Sequence, residues 1–432
     1  MGLFTGKHGL WDEAAISPAM AGEMETWRRA FYREGPWSGG AGLPATLTGY
    51  AATLVTNELE LRWGAGDRAA YFAAQTPALT ARLHEAVQLA AVFGWAVLRP
   101  VVEEGKFCFQ LWAPGQVFPT RFSADGAITA GYFADRRGEY LRVEEFSYGK
   151  GTLTLRNRAY RARGEVLGQE VPLSVRPEWE NISPELVLSG LRGPLFGVIK
   201  MPFANTVEPV SPLPVSLYAG ALESMAEFDR VYGDFLYELH SGRRKNIIER
   251  GAIVPEGRRK PRRPGTNYLD PTTDTYILDP QEEHSPFQDY SPEIRTEQYL
   301  SGLKTILHII ENQCHLSPGS LSIDQRTGAM TATEVISQDK TTYNTCAAIQ
   351  NRGLTPGLLA VMDAMEDLAD LYGMAPAGDT QKAIVYGDGI FEDTQKEFER
   401  RMEMAREGVI GKDEVRSWYF GAGAGEISPG AK

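Results

Sequence analysis

The chain has 432 residues, 43% hydrophobic and 23% charged, with a formal net charge of −12. These values suit a folded protein with room for two or three packed units. No apolar run approaches the roughly 18–20 residues that span a bilayer, and the negative balance disfavours static clamping of DNA, which needs the opposite sign.

The opening MGLFTGKHGLWDEAA lacks a basic start followed by an apolar block, so no secretory signal is expected. Gly6 stands where a myristoylation pattern needs Ser or Thr. Cys108, Cys314 and Cys346 are odd in number and far apart, which argues against a disulfide framework and for a reducing compartment. Helical spacing of apolar residues predicts helices over 20–33 (Met24, Trp27, Phe31), 47–63 (Leu47, Tyr50, Leu54, Leu61) and 68–93 (Leu79, Leu83, Val87). Trp11, Trp27, Trp37 and Trp63 fall in or beside them and read as core or interface anchors.

From Trp95 to about Arg163 the period changes to two, with Phe107, Phe109 and Leu111 alternating against Cys108, Gln110 and Trp112. Glycine turns divide this stretch into an antiparallel meander, and Asp125-Gly126 is its best hairpin signal. Residues 194–218 are extended, since Pro202, Pro209, Pro212 and Pro214 rule out a regular helix. A helix over 219–240 follows, with Leu222, Met225, Phe228, Tyr232, Phe235 and Leu239 on one face. Its other face holds Glu223, Glu227, Arg230, Asp234 and Glu238.

The sharpest charge feature comes next. Arg243, Arg244, Lys245, Arg250, Arg258, Arg259, Lys260, Arg262 and Arg263 crowd one segment, and residues 270–293 then reverse sign through Asp270, Asp274, Asp279, Glu282, Glu283, Asp289 and Glu293. Adjacent blocks of opposite sign suit contacts between subunits or with a partner. A solvated loop and a nucleic-acid patch are the other readings, the latter without the interleaved aromatics of a single-strand binder.

Residues 291–372 read as two helices joined by a polar loop. The first opens at Ser291-Pro292-Glu293 and carries Leu300, Leu303, Leu307 and Ile310. The loop 316–330 is LSPGSLSIDQRTGAM, and the second helix starts at Thr331 with Glu334 as the reciprocal cap. Pro356 marks either a kink in one long helix or a break between two. Beyond it, residues 383–386 suit a short strand, while Phe398, Met402, Ala405 and Val409 set a helix. A last short helix opens at Gly411-Lys412-Asp413-Glu414, and the tail 422–432 is expected to fray.

Signals for chemistry are missing. There is no phosphate loop, HExxH, CxxC or GxSxG. His308 and His315, two turns apart on the expected helix face, lie about 10 Å apart along its axis, too far to share a metal. Asp388, Glu392 and Asp393 fit no calcium loop. A dispersed carboxylate site stays open, because acids are plentiful.

Three passages carry a resemblance. They are TATEVISQDKTTYNT at 331–345, the set Lys200, Pro202, Phe203, Ala204, Asn205, Ser211, Pro212, Leu213, Ser216 and Tyr218, and the ending with Gly408, Ile410, Glu414, Arg416, Trp418, Tyr419 and Gly421. In that content the chain resembles the portal proteins of tailed bacteriophages, particularly long-tailed phages of Gram-positive hosts. The matches cover roughly the C-terminal half; the N-terminal half agrees only in general style.

The resemblance implies an α+β portal-protein fold. Its parts would be a wing (1–218), stem helix 1 (219–241), a small β-containing clip (242–293), stem helix 2 (294–315) and a tunnel loop (316–330). A long kinked helix (331–373) and a wing return strand with a short C-terminal helical crown (374–432) would complete it. About twelve copies would close a ring by cyclic symmetry at one capsid vertex, a channel for DNA packaging and ejection in the virion, assembled in the host cytoplasm. Ser322, Asp324, Gln325 and Arg326 would face DNA from the loop, and Glu223, Glu227, Asp234 and Glu238 would face the channel from the stem. Arg243, Arg244, Lys245, Arg258, Arg259, Lys260, Arg262, Arg263, Asp279, Glu282 and Glu283 would meet partners at the clip. Those partners would be the terminase large subunit, a head-completion or adaptor protein, and major capsid and scaffolding proteins, with no membrane. No cofactor, metal or catalysis is expected. The alternatives are a minor head protein without a channel and a metal-dependent nucleic-acid-processing enzyme.

Overall fold

The computed structural model describes residues 14–163, 166–243, 245–249, 275–278, 287–290, 292–321, 340–387, 401–407 and 411. Helices and sheets mix in an α+β arrangement of two units. The first unit comprises Met1–Tyr32, Pro44–Gly220 and Glu311–Lys432, and the second Arg33–Leu43 and Ala221–Ile310.

In the first unit, α1 (Pro18–Phe31) starts where the Ser17 hydroxyl accepts the Met20 N–H, and it buries Met20, Met24 and Trp27. Helix α2 (Leu43–Thr56) ends before the expected helix 47–63 does, because Leu59–Trp63 is instead a strand, β1. Leu59, Leu61 and Trp63 alternate with charged Glu60 and Arg62, the period of a strand with one covered face. Its partner is β14 (Lys382–Tyr386), the strand expected near the C-terminus, in antiparallel register Leu61↔Ile384. Helix α3 (Asp67–Phe93) runs as predicted and stops at Gly94, φ +87°, where a Cβ would collide with the Pro214 backbone.

The meander divides between two sheets. Strands β2 (Trp95–Glu103) and β3 (Lys106–Trp112) join β10 (Gly197–Lys200) in the order β10-β2-β3. Helix α3 packs on this sheet, as does α7 (Thr355–Tyr372), and Trp95–Leu98 of β2 are wholly buried. The larger sheet runs β4 (Val117–Phe122), β5 (Ile128–Arg137), β6 (Tyr140–Gly149), β7 (Thr152–Arg163) and β8 (Val166–Val171). Strand β9 (Glu185–Ser189) pairs with the other half of β7. Phe118, Leu141 and Val143 form a core on one face, while Phe133 and Phe146 meet Trp112 and Phe196 edge-on or tilted on the other. The Asp125-Gly126 turn closes β4 to β5 as expected, with Gly126 at φ +78°.

In the second unit, α4 (Leu222–Ser241) and α5 (Thr296–Gln313) are antiparallel neighbours. Phe235 meets Tyr299, and Glu238 holds Arg295. Helix α5 begins four residues after Pro292, so Ser291-Pro292-Glu293 does not cap it; the Arg295 N–H goes to Glu238 instead, at 2.9 Å. At 18 residues it is about 27 Å long, shorter than the 22-residue expectation. Between the two helices, β11 (Lys245–Glu249) pairs in parallel with β12 (Thr275–Leu278) and antiparallel with β13 (Phe287–Tyr290).

The second predicted helix is described from Lys340. It runs as α6 (Lys340–Ala348), a π-helical stretch Ile349–Leu354, and then α7. The irregularity therefore precedes Pro356, which sits in the first turn of α7 where its missing N–H is harmless. Residues 401–406 are helical, within the helix expected there; its Thr331 start, the last short helix and the frayed tail lie outside the described residues. No described helix is long and apolar enough to cross a membrane.

Candidate functional site

The segments on either side of the loop expected to face DNA form a well-defined neck. Its residues Ser322, Asp324, Gln325 and Arg326 lie outside the described residues, but both its roots lie within them. The Ser317 N–H donates to the Thr342 hydroxyl at 2.8 Å, and the Thr342 N–H donates to the Ser317 hydroxyl at 3.1 Å. Both residues are buried, so each hydroxyl satisfies a backbone donor that water cannot reach. One turn on, the Thr345 hydroxyl donates to the His315 carbonyl at 2.7 Å.

Glu311, wholly buried near the end of α5, accepts the N–H groups of Gly319 (2.8 Å) and Leu321 (2.7 Å). One carboxylate thus replaces water for the backbone that enters the loop. His315 lies past the helix end at φ +57°, so it does not share a helix face with His308. Its ring stacks on Phe203, centroids 5.0 Å apart. Cys314 and Cys346 are buried beside the neck and free, and burial pushes both thiols up to about 12. They pack as small apolar groups.

Phe203 belongs to the proline-rich passage, whose shared residues tie the chain down. The Lys200 ammonium donates to the Gly126 carbonyl at 2.7 Å, and burial lowers its pKa. Asn205 donates to the Leu213 carbonyl and accepts the N–H groups of Val207 and Glu208, closing the turn Pro209 follows. The Ser216 hydroxyl donates to the Ala91 carbonyl, and the buried Tyr218 hydroxyl to that of Trp27 at 2.8 Å. These contacts are structural. They place the passage against the neck through Phe203 and against the π-helical stretch, where Gly353 meets the Lys200 backbone too closely for any Cβ.

The acid row on α4 is partly neutralised. Glu223, Glu227 and Asp234 are exposed, and Arg230 bonds Glu227 through two nitrogens while lying 3.7 Å from Asp234. Three carboxylates less one guanidinium leave two negative charges on that face. Glu238 leaves the row: its carboxylate accepts both the backbone and guanidinium of Arg295, and these bonds hold its pKa down at about 2. Asp229, absent from that row, accepts the Ala41 N–H at 2.8 Å and fastens residues 33–43 to α4. Burial raises its pKa.

Of the clip residues, Arg243 is exposed and donates to His240 Nδ1 at 3.3 Å, and Lys245 pairs through its backbone with Tyr290 on β13. Arg244, Arg258, Arg259, Lys260, Arg262, Arg263, Asp279, Glu282 and Glu283 lie outside the described residues, as do Asp388, Glu392 and Asp393. No group of metal-binding side chains occurs among the described residues.

Two ionic networks escape sequence reasoning because their members are far apart in the chain. Arg192 donates to Asp367 and lies 3.6 Å from Glu366, whose other partner is Lys382; Arg68 reaches Asp370 at 2.7 Å. Arg99 and Arg142 flank the buried Glu144 at 2.6 and 3.1 Å. Burial alone would raise the Glu144 carboxyl, and the two guanidiniums bring it below the usual range.

No family model matches the chain, and no curated protein does. Among solved structures, the chain is similar to one described as "Neck of empty GTA particle computed with C6 symmetry". The identity is 11% and the TM-score 0.40, over 91% of this chain and 94% of that one.

Proposed function

We propose that the chain is a portal-type subunit, one of a ring of identical copies around a channel for double-stranded DNA in a phage-like particle. The reading is carried by the loop neck. The two roots of the loop, Ser317 after α5 and Thr342 in α6, are locked to each other by reciprocal buried bonds, which suits a loop with a fixed place to act from. The order of elements supports it too: acidic helix, strand-bearing insertion, returning helix, loop, interrupted helix, return strand. The shared texts at Lys200–Tyr218 and Thr331–Thr345 belong to that same order.

In this role the chain guides DNA and makes or breaks no covalent bond. A net-negative wall with few phosphate anchors avoids counterion-release adhesion, so a duplex slides at low cost. The stem contributes Glu223, Glu227 and Asp234, the loop Gln325 and Arg326, and the oppositely charged blocks between α4 and α5 meet the packaging motor and head-completion proteins. Negative-stain images of the purified chain under assembly conditions should show rings with a central hole. Compact solitary particles at every concentration, or magnesium-dependent cleavage of plasmid DNA, would reject the proposal.

A further inference from the structure

A π-helical run of six residues, Ile349–Leu354, lies between two α-helices, although such turns are rare and commonly mark functional sites. Its defining bond runs from the Thr355 N–H to the Gln350 carbonyl, five residues back. The Tyr386 hydroxyl, on β14, bonds to both members of that pair: the Gln350 carbonyl at 3.1 Å and the Thr355 hydroxyl at 2.8 Å. In α spacing the Gln350 carbonyl would take the Leu354 N–H, and the relation between the two residues would turn by about 100°. The tyrosine therefore fits the π register and not the α register.

The two sides of the turn are held differently. At the C-terminal end of the turn Gly353, and beyond it Gly357, press on the backbones of Lys200 and Val198, with no room for a Cβ. On the N-terminal side α6 is bonded to the neck through Thr342 and Thr345.

We propose that residues 349–354 are a register joint, latched by Tyr386, between α7 with its sheet and α6 with the neck. Releasing one residue from the π turn moves α6 by about 1.5 Å and about 100° relative to α7. The reciprocal Ser317–Thr342 bonds couple both loop roots to that step, which the His315–Phe203 stack beside the neck resists. The joint stands on this geometry alone; its use in moving a DNA-facing loop rests on the channel reading.

Hydrogen exchange of the full chain read by mass spectrometry tests it. In Tyr386→Phe, amides of residues 346–354 should exchange about five- to tenfold faster, the loss expected for one or two hydrogen bonds. Amides of α7 and β10 should keep their protection. Thr355→Val, which leaves the strand untouched, should give a smaller change in the same place, and Thr355→Ser none. Unchanged exchange at 346–354 in both disruptive variants, or acceleration spread evenly into α7 and β10, overturns the joint. Imaging of the same preparations reads the channel separately: a selective effect without rings sinks only the use in a channel, and rings without it sink only the joint.

Discussion

Glu144 shows how one residue's surroundings decide its chemistry. Stranded in a covered sheet it would be neutral; Arg99 and Arg142 keep it ionised, and Arg142 also donates to Asn157. Its folded pKa is lowered, so its contribution is present above the unfolded value of about 4.3 and is lost as pH falls through the folded one. Arg99→Met should cost about 3–5 kcal/mol at pH 7 by leaving a buried carboxylate short of a partner. Its denaturation profile should also begin to fail at higher pH than the parent's. A urea midpoint equal to the parent's at pH 7 would contradict this. None of it is legible beforehand, because Arg99 and Glu144 are 45 positions apart.

At the scale of elements, helix meets strand through glycine. Gly197 on β10 faces Gly357 on α7, and Gly353 faces Lys200, each backbone occupying the space a side chain would need. Gly353→Ala should lower stability by about 1–3 kcal/mol or more through overpacking. In contrast, a Cβ at Gly302 in α5 meets nothing within 4 Å. Gly302→Ala should therefore raise helix stability by about 1 kcal/mol. Urea denaturation of both variants checks the opposite signs; a stabilised Gly353→Ala protein would rule out the close contact. The same substitution reads identically in the sequence, and only the neighbouring strand distinguishes the two sites. Strand β1 teaches the same point: its alternation was present in LELRW, but its partner lies more than 300 residues on.

For the whole molecule, charge is the property that matters in the proposed role. On the proposed reading the net charge of −12 and the acid face of α4 would repel a duplex, and Arg326 is the single cation of its loop text. Replacing Arg326 by Glu should reduce packaged DNA per capsid, measured on full particles. An unchanged amount would count against loop contact with DNA. Within the charged insertion, β11, β12 and β13 form a three-stranded sheet.

The sequence by itself determined what local physics controls: the helices α1 and α3, the change to strand period at Trp95, the Gly126 turn, and the amphipathic α4 and α5. Apolar spacing and turn chemistry act over a few residues, so they can be read in order. Only the tertiary structure decided that 59–63 is a strand, that α5 starts at Thr296, that the helix is interrupted ahead of Pro356, and that Ser317 locks to Thr342. Each depends on a partner distant in the chain, β14, Glu238, β10 or α6, whose backbone and hydroxyl groups must be satisfied together.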